Sequence, residues 1–101
     1  MGSSLKTAQF LIESRLSDAA RGDWDACYDL GVDYSTGANG VDLDLVEAHK
    51  WFNLAASRGG HEGARYCRAE VADEMTAREI AEAQRQARAW LATTGYSRRA
   101  A

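Results

Sequence analysis

Apolar residues return every three or four positions along almost the whole of this chain, and no proline interrupts them. That spacing is the signature of α-helices with one face turned to a core, because about 3.6 residues per turn bring such positions together. Nineteen alanines among 101 residues push the same way, alanine being the strongest helix former. The expected fold is therefore all-α, with about five helices. The first carries Leu5, Ala8, Ile12, Leu16 and Ala19 and stops at Arg21-Gly22-Asp23, where Asp23 opens the next as its N-cap. The second runs from about Trp24, places Cys27, Leu30, Gly31 and Tyr34 on one face, and ends in the glycine-rich stretch 35–40. A capping box, Asp44-x-x-Glu47, opens the third, which continues through Ala48, Trp51, Phe52, Ala55 and Ala56 to Gly59-Gly60. The fourth starts at His61 or Glu62, carries Ala64, Cys67 and Val71, and breaks at Asp73-Glu74. Thr76-x-x-Glu79 is a second box, opening a fifth helix with Ile80, Ala83, Ala87, Trp90 and Leu91 that Gly95 ends.

The third helix is apolar around most of its circumference, with Leu45, Val46 and Leu54 added and only Glu47, Lys50, Asn53 and Ser57 marking a wet stripe. Such a helix requires neighbours on more than one side. A chain of this length buries one core, so residues 1–95 read as a single domain and 96–101 as a frayed tail.

Repetition decides how short helices of this kind assemble. Gly22, Ala26 and Tyr28 recur as Gly60, Ala64 and Tyr66 at an offset of 38, and Ala19 recurs as Ala56 at 37. Within the second and third helices, small residues (Gly31, Ala48, Ala55, Ala56) alternate with bulk (Leu30, Tyr34, Trp51, Phe52), which specifies one interlocked antiparallel pair. Glycine in mid-helix costs about 1 kcal/mol relative to alanine, so Gly31 points to a backbone approach too close for a side chain.

The segment 26–59 resembles one complete Sel-like repeat. The resemblance rests on Ala26, Leu30-Gly31, Tyr34, Gly37, Gly40-Val41, Asp44, Glu47-Ala48, Lys50-Trp51-Phe52, Ala55-Ala56 and Gly59. An extra residue between Gly37 and Gly40 and the doubled Gly59-Gly60 depart from the pattern and lengthen two turns. The resemblance implies a short α/α solenoid related to tetratricopeptide repeats: antiparallel helix pairs, one repeat complete, partial repeats on either side, and the arginine-rich fifth helix as a cap. It also implies that the first helix of each pair lines a groove. Some secreted members of the family bind or hydrolyse β-lactams, but they carry a cysteine pair in each repeat. Here Cys27 and Cys67 lie in different repeats at non-equivalent positions, so that implication does not transfer.

Little in the chain points to chemistry. His49 lies within the tightly packed third helix and reads as a core or boundary histidine, whereas His61, at a helix start, is placed to contact backbone. Cys27, His49, His61 and Cys67 lack the paired spacing that lets two metal ligands converge, so no metal and no cofactor is expected. Both thiols read as free and reduced. No serine or carboxylate is singled out as a nucleophile or base, and Gly37-Ala38-Asn39-Gly40 lacks the lysine of a phosphate loop. No catalytic residue is expected. Arg78, Arg85 and Arg88 interleave with Glu79 and Glu82 without aromatic platforms, which argues against nucleic acid.

The longest apolar runs are three residues, so no membrane span is expected, and Glu13 and Arg15 interrupt the only apolar patch a signal sequence could use. Gly2 does not open a myristoylation pattern, because Lys6 stands where Ser or Thr is needed. The expected location is the cytoplasm.

One polar arrangement stands out. Asp25, Asp29 and Asp33 recur at four-residue steps along the second helix, where like charges repel by a few tenths of a kcal/mol per pair. Either Arg65 and Arg68 of the following repeat neutralise a solvated stripe, or the aspartates join Trp24 and Tyr28 in a recognition strip. On the second reading Trp24, Asp25, Tyr28, Asp29 and Asp33 bind a protein or peptide partner, a basic one, without catalysis. The net charge of −3 is unevenly spread, with an acidic first half and a weakly basic second half, so a homo-oligomer joined through unlike halves is the alternative. An enzyme with an unrecognised hydrolytic site is the more remote one.

Overall fold

In the computed structural model, described for residues 2–95 and for side chains from Thr7 onward, the chain forms α1 (Gly2–Ala20), α2 (Trp24–Thr36), α3 (Leu45–Gly59), α4 (Glu62–Ala72) and α5 (Ala77–Thr94). No strand occurs among the described residues. The expected frayed tail, 96–101, lies outside them. Four of the helix starts are closed by the side chain preceding them: Asp23 accepts from Ala26 N–H at 3.2 Å, Asp44 from Glu47 at 3.1 Å, His61 Nδ1 from Ala64 at 3.1 Å and Thr76 from Glu79 at 3.1 Å.

Only one of the two expected capping boxes closes in both directions. At α5, Glu79 reaches back to Thr76 N–H at 2.8 Å. At α3 the Glu47 carboxylate is taken instead by Lys50 Nζ and Trp51 Nε1, each at 3.0 Å. A tryptophan buried as deeply as Trp51 has an indole N–H that would otherwise go unpaired, and satisfying it outweighs a second bond at an exposed helix end.

The core is organised around α3, which packs against α2, α4 and α5 as its nearly continuous apolar surface requires. Three of the largest fully buried side chains, Trp51, Phe52 and Leu54, belong to it, and Leu30 and Cys27 of α2 join them. Helices α2 and α3 interlock most closely. A Cβ on Gly31 would stand 2.5 Å from the Phe52 ring, so glycine is what lets the two helices approach. The doubled glycine after α3 has two separate uses. Gly59 gives way to Trp24, whose Cβ and ring lie where a side chain would project, and Gly60 closes the helix in the left-handed region at φ 62°.

Helix α5 docks on α3 rather than along its chain neighbour α4. Its buried edge is Ala83, Ala87 and Leu91, and Trp90 meets Trp51 edge-on with ring centroids 5.4 Å apart. The more polar α4 buries only Ala64 and Val71. It nevertheless roofs part of the stripe of α3 expected to be wet: Arg68 Nη1 donates to Asn53 Oδ1 at 2.7 Å. Beneath this roof His49 is buried, its Nδ1 without a partner, and burial together with Arg68 holds its pKa below the ordinary histidine value. No described helix is long and apolar enough to cross a membrane.

Candidate functional site

The three aspartates of α2 do not share one environment. A four-residue step overshoots a helical turn by about 40°, so two steps swing the stripe by roughly 80° around the axis. That drift takes Asp25 toward α4 and Asp33 toward α1. Asp33 is 3% exposed, ion-paired with Arg15 of α1, and accepts from Asn39 Nδ2 at 2.8 Å. Its expected place in a surface strip is thereby corrected: it is an internal clamp joining α1, α2 and the α2–α3 turn. Asn39, at φ 56°, belongs to the stretch that departs from the repeat pattern, and its amide completes the clamp. The neutralising partners expected from α4 are also corrected. Arg68 serves Asn53, and the cation that offsets the acidic stripe is Arg15.

Asp29 is intermediate in burial as well as in position. Loss of water around it raises its carboxyl pKa, Arg15 opposes the rise, and Asp33, Asp25 and Asp23 add to it. Asp25 is exposed, and its carboxylate faces His61 Nε2 at 3.5 Å.

Trp24, Asp25 and Tyr28 lie toward the start of α4, and Asp29 stands between them and Arg15 of α1. Tyr28 is half-buried. Its ring stacks on His61 at 4.4 Å and 12° and tilts against Phe52 at 5.8 Å. Cys67 beside its hydroxyl, then burial and Asp29, raise its pKa. Trp24 is held by Gly59 and the core. The aromatic members of the expected strip are thus fixed in place, and its two accessible carboxylates flank them.

His61 is committed through one ring nitrogen to the start of α4. Nδ1 accepts from the Ala64 backbone, so the ring proton sits on Nε2 and points toward Asp25. Cys27, sealed in the core, has its thiol pKa pushed up to about 12 by burial, with Asp23 adding, which keeps it protonated and unreactive. Among the described residues no group of three His, Cys, Asp or Glu side chains could hold a metal ion.

Beyond this strip, a cleft of about 360 Å³ opens between α2 and α4. Its walls include Val32 and Leu45, with Phe52 and Val71 beneath, and Glu70 and Glu74 stand at its edge. Sequence reading passed over these glutamates. The signal was present in the 38-residue offset, which makes Glu70 of α4 and Glu74 just beyond it the register equivalents of Val32 and Thr36 of α2. Comparison with family models, curated proteins and solved structures finds no match for this chain.

Proposed function

We propose that this chain is a non-catalytic interaction module of the Sel-like repeat type, acting in the cytoplasm, which binds a protein or peptide partner on the face shared by α2 and the start of α4. The observation that carries the reading is the pairing of two accessible carboxylates, Asp25 and Asp29, with an aromatic side chain, Tyr28, that is already immobilised by His61 and Phe52. A fixed aromatic offers contact area without an ordering cost on binding, and accessible acidic groups beside it attract and orient a basic partner. The use of His61 Nδ1 as a helix cap supports a structural role for this side chain. Support for the repeat assignment comes from Gly31 and Phe52, and from Gly59 and Trp24, which meet where the repeat pattern puts small residues.

The test is an Asp25→Asn/Asp29→Asn double variant, which leaves the Asp33 clamp intact and relieves repulsion. Partners captured from a lysate by the wild-type domain should bind the folded variant more weakly, chiefly through slower association at low salt. Equal binding across the salt range would reduce the strip to solvated surface. Sedimentation at two salt concentrations checks the self-association alternative, since an oligomer joined through unlike charged halves dissociates as salt rises.

A further inference from the structure

We infer that the cleft between α2 and α4 seats an apolar anchor side chain of a peptide whose flanking residues are lysine or arginine; this rests on the binding reading above and locates its energetic centre in residues outside the strip. Three observations converge. The cleft, at about 360 Å³, lies at the small end of the roughly 300–1,000 Å³ range of ligand sites, and Val32, Leu45, Phe52 and Val71 make its interior apolar. That volume suits a side chain or two rather than a docked domain.

The rim offers hydrogen-bond acceptors and no charged donor. Glu70 and Glu74 are exposed carboxylates in no ion pair with a described residue, and no lysine or arginine lines the cleft. Across from them, Ser35 and Thr36 already donate their hydroxyl hydrogens to the Val32 carbonyl, at 3.1 Å and 2.8 Å, which leaves only oxygen lone pairs facing outward. The Cys67 thiol, also on the lining, lies beside Tyr28 and is only a weak donor. A ligand that satisfies this rim must bring donors, and preferably positive ones. A carboxylate-bearing peptide would meet repulsion from Glu70 and Glu74 with nothing to offset it.

The cleft also lies next to the strip: Cys67 of its lining is a neighbour of Tyr28, so a segment anchored over Phe52 and Val71 can extend toward Asp25 and Asp29.

The experiment is selection of a random-peptide phage library on the intact chain, followed by affinity measurements with the selected peptide made synthetically. Selected sequences should carry lysine or arginine on both sides of an aliphatic or aromatic residue. Replacing that residue by alanine should abolish most of the affinity. The charge reversal Glu70→Lys/Glu74→Lys, at exposed positions where folding is checked by a thermal melt, should weaken binding about tenfold or more at low salt. Selection of acidic or uncharged sequences overturns the inference, as does undiminished affinity for the charge-reversed variant. If that variant binds normally while Asp25→Asn/Asp29→Asn does not, the cleft is excluded and the strip stands alone. Failure to enrich any peptide rejects the cleft as a peptide site, leaving lysate capture to judge the broader reading separately. Sedimentation showing a dimer that the Glu70→Lys/Glu74→Lys variant dissolves would assign the cleft to a second copy and overturn the peptide.

Discussion

Helices α2 and α4 occupy equivalent places in the 38-residue register, and their fates differ. Asp23 and His61 stand in register and both cap a helix; Ala26 and Ala64 stand in register and both are buried, at 5% and 0% exposure. Two residues further on, Tyr28 stacks on His61 and tilts against Phe52, whereas its equivalent Tyr66 is 68% exposed. From there the helices diverge in kind. Leu30 fills the core where α4 has Arg68, Gly31 admits Phe52 where α4 has exposed Ala69, and Asp33 clamps α1 where α4 has Val71. The lesson is that caps and a small buried residue recur at the 38-residue offset, while bulk and charge respond to what lies alongside. Helix α2 is covered by α1, α3 and α4. Helix α4 has α3 beneath it and only light contact with α2, and its sequence is correspondingly polar.

The strongest way to break this contrast is to remove the cover from α2. Arg15→Ala leaves the Asp33 carboxylate buried without its cation, and should cost about 3 kcal/mol, read as a lowered midpoint in urea. A variant as stable as wild type would show that α1 merely lies against α2. Next comes the close approach: Gly31→Leu should cost on the order of 1–3 kcal/mol by driving a side chain into Phe52, although it raises helix propensity. Its register partner Ala69→Leu should stay within about 0.5 kcal/mol. Similar melting temperatures for the two would erase the difference between the helices.

Tyr28→Ala and Tyr66→Ala sharpen the contrast by deletion. The first loses two ring contacts and should lower the melting temperature by several degrees, given roughly 4–8 °C per kcal/mol for a domain of this size. The second should hardly move it. A smaller, pH-linked effect belongs to the α3–α4 contact. His49 has its pKa lowered in the fold, so above about 6.5 it is neutral folded or unfolded, and below that the unfolded chain takes the proton first. Stability should therefore fall with acidification from that point, more steeply in wild type than in His49→Leu, with other groups cancelling in the difference between the two melting series. Equal slopes would mean that α4 does not seal this histidine. Smallest of all, Asp29→Asn should raise stability by a few tenths of a kcal/mol at neutral pH. Its raised carboxyl pKa makes the folded state the better proton binder, so the charged form is a cost that fades as pH drops; a destabilised variant would reverse that account.

Much of this molecule is written in its local sequence. The number and limits of the helices follow from periodicity and caps, because a helix start needs an acceptor within three residues and a helix stop needs a residue that tolerates the turn. The many-sided burial of α3 follows from its circumference, and the contact at Gly31 from a residue that has no other reason to sit in mid-helix. The site was legible only in part. Tyr28, Asp25 and Asp29 share a face that spacing alone identifies, but the same spacing wrongly carried Asp33 with them. A four-residue repeat drifts around the axis, and which helix receives the drifting residue is decided in space. The tertiary structure alone placed Arg15 there, gave Asn53 to Arg68, turned Glu47 from a cap into the partner of a buried indole, and laid α5 on α3 rather than on α4. Each of these outcomes depends on which buried polar group or apolar edge would otherwise go unmatched, and that is settled by neighbours distant in the chain.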